Sequence, residues 1–165
     1  MNRVVLLLSG PNLNLLGQRE PDVYGTATLD DHVALATSTA EPLGLEIIHR
    51  QSNHEGDLVD AIHAARGQAA AVIINAGALT HYAWSLHDAL ATFDGPVVEL
   101  HLSNPAARQE WRHVSVVSPV ATGVIQGFGG FGYRLAVEAV AKLLGQEEGE
   151  QALRPGRAAK MNDDE

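Results

Sequence analysis

Five short apolar segments, separated by stretches with helical periodicity, constrain the fold of this 165-residue chain more than any other feature. The apolar segments lie at residues 4–8, 45–50, 70–74, 97–102 and 114–117. Helices are predicted at residues 28–41, around 58–65, at 82–93, shortly after 104 and at 133–144. Strands that alternate with helices indicate a parallel sheet with right-handed crossovers. Five strands in this length favour an α/β three-layer sandwich of the flavodoxin-like type, with strand order 2-1-3-4-5.

Local signals mark several of the predicted helix starts. Thr28 is expected to cap the first helix, and Asn53 is a candidate cap for the second. The Ser-Asn-Pro sequence at residues 103–105 favours the start of a short helix, because proline suits the first helical position. That short helix carries Arg108 and Arg112.

The connection after the first strand, residues 9–27, is far longer than the roughly two to six residues that usually join a strand to a helix. From Gly10 to Gly25 it reads G-P-N-L-N-L-L-G-Q-R-E-P-D-V-Y-G. Its leucines, with Val23 and Tyr24, favour burial over disorder. A long ordered loop in a compact domain is usually functional. We therefore expect this loop to close over a site.

Composition limits the partners of the chain. The chain contains 45% hydrophobic residues, which is enough for the core of one domain, predicted at residues 1–145. The polar residues 146–165 are expected to form a disordered tail. The net charge of −9 argues against nucleic acid as the main partner, and the absence of cysteine excludes thiolate chemistry. No segment approaches the roughly 18 apolar residues that span a membrane. The N-terminus lacks a signal-peptide pattern, so we expect a cytoplasmic protein.

Polar side chains collect after the predicted strands, at the edge where open parallel sheets bind their ligands. They are Asn12, Arg19 and Tyr24 after the first strand, Asn75 and His81 after the third, and Glu99, His101, Ser103, Arg108 and Arg112 at the fourth. Because three of them are arginines in an acidic protein, the sequence predicts a small anionic ligand.

Several other kinds of site lack their motifs. The eight histidines show no HExxH-like ligand spacing, so no metal site is predicted. The glycines at residues 10–17 lack the Lys-Ser/Thr end of a nucleotide-binding P-loop, and those at 127–130 are too loose for a dinucleotide fingerprint. Lys142 lies near the end of the last predicted helix and Lys160 in the tail, so Schiff-base chemistry has no obvious residue.

Acid–base chemistry by tyrosine and histidine is what these exclusions leave. Tyrosine, with a pKa near 10, is a poor base at neutral pH, but Arg19, Arg108 and Arg112 could favour its phenolate. Glu99 and His101 point to the same face of a strand, because they are two residues apart. Glu99 could keep the imidazole protonated as a general acid. A base, an acid and an anion grip suit the elimination of water from a carboxylated substrate.

Taken singly, these residues also have ordinary structural explanations. Tyr24 could be a packing residue, and His101 could be a core histidine. Asn12 and Asn75 could cap turns, and His81 could cap the helix that follows it. Arg108 and Arg112 could form a solvated helix face with Glu110. The motifs around them favour the functional interpretation.

Five blocks of the sequence resemble the type II 3-dehydroquinases (3-dehydroquinate dehydratases). They are the Gly10–Gly25 stretch quoted above, Q-S-N-H-E-G-D-L-V-D-A-I-H, I-N-A-G-A-L-T-H, E-L-H-L-S-N-P-A-A-R and S-P-V-A-T-G-V-I-Q-G-F-G, and the resemblance spans Val4 to about Leu144. It implies a flavodoxin-like, carbon–oxygen lyase with no metal or cofactor. The implied reaction is the anti elimination of water from 3-dehydroquinate, through an enolate, to give 3-dehydroshikimate in the shikimate pathway of aromatic amino acid biosynthesis.

The resemblance also implies roles for the catalytic candidates. Tyr24 matches the base that removes the C2 proton, with Arg19 nearby to stabilise its phenolate. His101 matches the acid that protonates the departing C1 hydroxyl, and Glu99 would tune it. Asn12 matches the residue that holds a water against the enolate oxygen.

Substrate contacts and assembly follow from the same resemblance. The matching positions are Leu102 and Ser103 for the carboxylate, Asn75, His81 and Arg112 for the ring hydroxyls, and Arg108 near Tyr24 on the loop side. Asp88 matches a residue contributed by a neighbouring subunit, because members of the family typically form homo-dodecamers, built as tetramers of trimers.

Two functions of other classes remain open at this point. One is a catalytically silent flavodoxin-like module that binds a small anion, and the other is a nucleotide- or flavin-binding protein. The same lyase could also serve quinate breakdown instead of aromatic biosynthesis.

Overall fold

The computed structural model describes residues 3–146, which form a five-stranded parallel sheet. Its strands are β1 (Val4–Ser9), β2 (Glu46–Gln51), β3 (Ala71–Asn75), β4 (Val97–His101) and β5 (Gly123–Gln126). They lie in the order β2-β1-β3-β4-β5, which confirms the predicted topology. The predicted disordered tail falls outside the described residues, except for Gln146, which ends the last helix.

Helices cover both faces of the sheet and complete the three-layer sandwich. They are α1 (Pro21–Tyr24), α2 (Leu29–Ala40), α3 (Glu55–Ala65), α4 (Trp84–Ala91) and α5 (Phe131–Gln146). Helices α2 and α5 pack on each other on one face, and α3 and α4 do so on the other. None of the helices within residues 3–146 has the length and apolar character needed to cross a membrane.

The strand side chains alternate between two hydrophobic cores. In β1, Val5 and Leu7 pack in the core under α2 and α5, whereas Leu6 and Leu8 pack in the core under α3 and α4. A strand that is buried on both faces needs apolar residues at every position, which explains the continuous apolar run. In β4 the same alternation turns Glu99 toward the α3 and α4 side, where a carboxylate needs hydrogen-bond partners.

The start of α2 is a capping box, as the Thr28 signal predicted. The Thr28 hydroxyl accepts a hydrogen bond from the Asp31 backbone N–H at 3.2 Å. In return, the Asp31 carboxylate accepts one from the Thr28 N–H at 2.8 Å. The two bonds satisfy amide groups that the helix cannot pair internally, and they fix the point where the long loop ends.

The predicted fifth strand at residues 114–117 is wrong, because β5 lies at Gly123–Gln126. The Ser115 hydroxyl accepts hydrogen bonds from the N–H groups of Val117 and Ser118, which bends the chain into a turn. The Val116 N–H bonds to a loop carbonyl, that of Thr80, instead of to a strand. The true edge strand is short and largely exposed, so its sequence lacks the apolar signal of a buried strand.

Three predicted helix features also differ from the structure. The second of the long helices begins after His54 without a side-chain cap, because the Asn53 side chain accepts a hydrogen bond from the Asn12 N–H instead. The short helix predicted after residue 104 is two separate 3-10 turns, Pro105–Ala107 and Glu110–Arg112. The helix predicted at 82–93 is the shorter α4, which follows a 3-10 turn at Gly77–His81.

Gly10 allows the loops after β1 and β3 to meet. A Cβ atom at this position would lie 2.3 Å from the Ala76 carbonyl oxygen, far inside van der Waals contact. The Gly10 N–H also donates to the Asn75 carbonyl at 2.8 Å. The chain therefore needs glycine here to bring together the two loops that line the cleft described next.

Candidate active site

A cleft of about 150 Å³ opens at the carboxyl edge of the sheet, between the long β1–α2 loop and the segments that follow β3 and β4. Its polar lining consists of Asn12, Arg19, Tyr24, Asn75, His81, His101, Ser103, Arg108 and Arg112, with Leu102 beside them. The cleft thus brings together ten of the twelve residues selected from the sequence. Glu99 lies behind this lining, bonded to His101, and Asp88 lies elsewhere.

The long loop is covered only in part: Leu13 and Leu16 are buried, whereas Leu15 and Val23, which were also expected to favour burial, are exposed. Leu13 and Leu16 are buried in the core under α2 and α5, so they anchor the loop to the domain. Asn12 and Glu20 adopt positive φ angles of 67° and 38°, which side-chain-bearing residues rarely do. The Asn12 N–H is held at 3.0 Å by the Asn53 side chain from the β2–α3 loop, which stabilises this turn beside the cleft.

Tyr24, at the end of α1, reaches across the cleft to an arginine on the opposite wall. The Arg108 Nη1 donates a hydrogen bond to the Tyr24 hydroxyl oxygen at 2.6 Å, and also to the Ser103 hydroxyl at 3.4 Å. Arg19 also lies over the ring, with its guanidinium carbon 5.1 Å from the ring centroid, compared with 5.2 Å for Arg108. Two positive charges therefore lie beside the phenol, and one of them donates a hydrogen bond to its oxygen.

Arg19 does not itself donate to the Tyr24 hydroxyl in this conformation. Its Nη2 forms an ion pair with the Glu20 carboxylate at 2.8 Å, in a half-exposed position. That hydrogen bond lowers the pKa of Glu20. Among the three arginines expected to favour the phenolate, the one that touches the phenol oxygen is thus Arg108, whereas the family resemblance singles out Arg19.

Glu99 and His101 form a buried pair at the cleft, in which His101 belongs to the lining. The His101 Nε2 lies 2.7 Å from the Glu99 Oε1, and Glu99 is only 1% exposed. Burial acts to raise the pKa of Glu99, but hydrogen bonds from His101, Ser118 and Ser115 outweigh it, so the pKa lies below its ordinary value. The carboxylate is therefore ionised and orients the imidazole, as the two-residue spacing predicted.

Ser115 and Ser118 are functional candidates that the sequence analysis missed. Ser115 donates to the Glu99 Oε1 at 2.7 Å, and Ser118 donates to the Glu99 Oε2. Ser118 opens one of the blocks that carry the family resemblance, which was the available signal. Ser115 was hidden because residues 114–117 were interpreted as a strand.

His81 and Arg112 lie near Trp111 at one end of the cleft. The His81 Nδ1 lies 2.6 Å from the Val114 carbonyl oxygen; a carbonyl only accepts, so Nδ1 carries a proton. Burial lowers the pKa of His81, which favours the neutral ring with Nε2 as an acceptor. The Trp111 ring meets His81 edge-on and stacks on the Arg112 guanidinium at 4.0 Å. These contacts hold the His81 side chain away from the N-terminus of α4. His81 therefore does not cap this helix.

The remaining candidates occupy different surroundings. Asn75 is 3% exposed at the end of β3, and its side chain accepts a hydrogen bond from the Gly77 N–H at 3.2 Å. Leu102 and Ser103 line the cleft where β4 ends. Asp88 is exposed on α4 and is not part of the cleft lining of this chain.

This arrangement can carry out acid–base chemistry on a small anion. One cleft is lined by a tyrosine in contact with two arginines, by a histidine bound to a buried carboxylate, and by amide and hydroxyl groups. Within residues 3–146, no group of three or more histidine, aspartate or glutamate side chains is placed to hold a metal ion. Fold and site together define a flavodoxin-like α/β protein with an acid–base site at the carboxyl edge of its sheet.

Comparisons with known proteins give the family. The family described as dehydroquinase class II matches residues 3–141, so the chain belongs to that family. The 3-dehydroquinate dehydratase of Corynebacterium glutamicum strain R is 55% identical over 139 residues, which cover 84% of this chain and 96% of that protein. The 3-dehydroquinate dehydratase of Bacillus licheniformis is 53% identical over 133 residues, which cover 81% and 92%.

Solved structures agree with this assignment. The crystal structure of the type II dehydroquinase from Propionibacterium acnes superposes with a TM-score of 0.82 at 44% identity, covering 86% of this chain and 98% of that one. A 3-dehydroquinate dehydratase-like protein from Bifidobacterium longum gives a TM-score of 0.67 at 34% identity, covering 88% and 99%. The flavodoxin-like fold predicted from the sequence is thus the fold of this family.

Proposed function

We propose that this protein is a 3-dehydroquinate dehydratase, a hydro-lyase that eliminates water from 3-dehydroquinate to give 3-dehydroshikimate. One observation carries the proposal. The family match extends over nearly the whole described chain, and the residues that the family motifs supply, a tyrosine and a histidine among them, line a single cleft. The elimination needs a base and an acid at separate atoms of the substrate, and this cleft holds both.

The first proposed step is removal of the C2 proton by Tyr24, which forms the enolate. The Arg108 hydrogen bond and the Arg19 guanidinium over the ring support this role, because both stabilise negative charge on the phenol oxygen. Asn12, whose backbone is held by Asn53, is proposed to bind a water that donates to the enolate oxygen.

The second proposed step is departure of the C1 hydroxyl, protonated by His101. Its Nε2 faces Glu99, so Nδ1 is the ring nitrogen left for the substrate. The ionised Glu99 accepts the hydrogen bond from Nε2 and so orients the ring for proton transfer from Nδ1. Expelling water from the enolate restores the carbonyl and forms the conjugated double bond.

The remaining cleft residues are proposed to hold the substrate. Leu102 and Ser103 would bind the carboxylate; Asn75, His81 and Arg112 would bind the ring hydroxyls. His81 suits a hydroxyl donor in particular, since its Nδ1 is occupied by the Val114 carbonyl and its Nε2 can accept.

The direct test is the ultraviolet absorbance of purified protein mixed with 3-dehydroquinate after treatment with EDTA. The conjugated enone of the product absorbs where the substrate does not, so the absorbance should rise. A rise that survives chelation supports elimination without a metal. A flat trace from folded protein would reject the lyase and favour the anion-binding module.

We further propose that the active form is a homo-dodecamer, a tetramer of trimers, in the cytoplasm, working in aromatic biosynthesis. The exposed position of Asp88, outside the cleft of its own chain, is compatible with a contact to a neighbouring subunit. Light scattering should give the mass of twelve chains of 17.5 kDa. Deletion of the gene should impose a requirement for aromatic amino acids; growth impaired only on quinate would favour the catabolic role.

A further inference from the structure

Residues 113–118, here called the 113–118 segment, form hydrogen bonds with three residues of the candidate site. The His113 Nε2 lies 3.1 Å from the Arg108 carbonyl oxygen, and the Val114 carbonyl binds the His81 ring. Ser115 and Ser118 bind the carboxylate of Glu99. The last contact matters most, because Glu99 is buried and forms the hydrogen bond that orients His101.

The two serines hold Glu99 in different ways. The Ser115 hydroxyl accepts hydrogen bonds from the N–H groups of Val117 and Ser118, at 3.1 and 3.0 Å, so both its lone pairs are used. Its proton is therefore committed to the Glu99 Oε1, at 2.7 Å. The Ser118 hydroxyl donates to the Oε2 and makes no other side-chain hydrogen bond within the described chain. Removing Ser118 thus tests the contact to Glu99 without undoing the turn.

With His101, the serines supply three donors to one buried carboxylate. His101 and Ser115 share the Oε1, and Ser118 takes the Oε2. An ionised carboxylate has only acceptor sites, so this set of donors suits the charged form. It also fixes the plane of the carboxylate, and hence which nitrogen of His101 faces it.

We propose that Ser115 and Ser118 are positioning residues for the acid step, which hold Glu99 as an oriented carboxylate so that His101 presents its Nδ1 to the cleft. The inference rests on the proposed function, since it gives the acid of that reaction its support. It assigns no contact with the substrate to either serine.

The charged groups around Glu99 make the inference testable by pH. Its titratable neighbours are His101, from the same strand, and His81, from the turn Gly77–His81. The 113–118 segment presents only hydroxyls to it. Burial acts to raise the pKa of Glu99, and the serine hydrogen bonds act to lower it. Without Ser118 the pKa should rise, so activity should be lost at a higher pH as the solution is acidified.

The kinetic test uses Ser118→Ala, with Ser118→Thr to restore a hydroxyl. Ser118→Ala should lower kcat about ten- to a hundredfold with little change in KM, and should move the acidic limb of the kcat profile to higher pH. Ser118→Thr should recover most of both effects. The matched control is Ser85→Ala, which removes a serine hydroxyl from another carboxylate, that of Glu55 at the start of α3.

Infrared difference spectra between two pH values provide a readout that does not depend on turnover. A protonated carboxyl gives a band that a carboxylate lacks, and Glu99→Gln identifies the band of Glu99 by its loss. Ser118→Ala should show this band at a pH where the unchanged protein and Ser85→Ala do not.

Unchanged kcat, pH profile and infrared spectrum in Ser118→Ala would overturn the inference. Failure of the parent protein to convert 3-dehydroquinate would instead reject the proposed function. The infrared comparison would then still decide whether the serines hold Glu99 as a carboxylate.

Discussion

Replacing Arg108 by alanine removes the only guanidinium within residues 3–146 that hydrogen-bonds to the Tyr24 oxygen. The hydrogen bond is short, 2.6 Å, and the arginine is half-buried, so solvent replaces it poorly. A hydrogen bond to a charged group contributes about 1.5–3 kcal/mol. Tyr24 must lose its own proton before it can accept the C2 proton, so a less favourable phenolate lowers kcat. The expected decrease is about ten- to a hundredfold.

The assay for this prediction is the initial rate of product absorbance over a range of 3-dehydroquinate concentrations. Arg108→Lys keeps the charge but loses the fork that reaches both Tyr24 and Ser103, so its rate should fall between the parent and Arg108→Ala. Arg134→Ala is the matched control, because it breaks an exposed ion pair between Arg134 and Glu138 on α5. Rates for Arg108→Ala within about twofold of the Arg134→Ala rates would refute the reasoning.

Four further predictions concern the supports of the site and the fold. Asn53→Ala should lower kcat, because it removes the acceptor that holds the Asn12 N–H. Asn53→Asp should restore most of the rate, because aspartate offers the same acceptor. Equal rates in the two variants would contradict this role of Asn53. Thr28→Ala should lower the free energy of unfolding in urea by about 1 kcal/mol without changing kcat. Burial lowers the pKa of His32, so the folded protein resists its protonation and should lose stability as pH falls below about 6.5. His32→Gln should reduce this loss, measured as unfolding free energy against pH. Asp88→Ala should raise KM or reduce assembly, and an unchanged mass with unchanged KM would oppose a role across subunits.

The sequence predicted the sheet because its signals are local. The apolar runs of β1 and β3 are buried on both faces, so every residue in them carries the signal. The strand order followed from general rules for parallel sheets. Strand β5 was not predicted because it is exposed and contains glycine. Residues 114–117 have the apolar sequence of a strand, but their hydrogen bonds go to Ser115 and to the loop at Thr80.

The site residues were predictable as a set, but their pairing was not. Glu99 and His101 share a face of one strand, so their contact follows from the two-residue period. The bond between Arg108 and Tyr24 joins residues 84 positions apart, and no pattern in the sequence decides between Arg108 and Arg19 as the donor. The same holds for Ser118 and Glu99, which meet only when the 113–118 segment turns back onto β4.

The most direct test of the account is proton exchange at C2 of 3-dehydroquinate, followed by NMR in deuterated water with two variants. If Tyr24 is the base and His101 the acid, His101→Gln should exchange the C2 proton faster than the spontaneous rate while forming almost no product. Tyr24→Phe should bind the substrate but show neither exchange nor product. Exchange that persists in Tyr24→Phe would contradict the assignment of the base, and with it the central claim about this cleft.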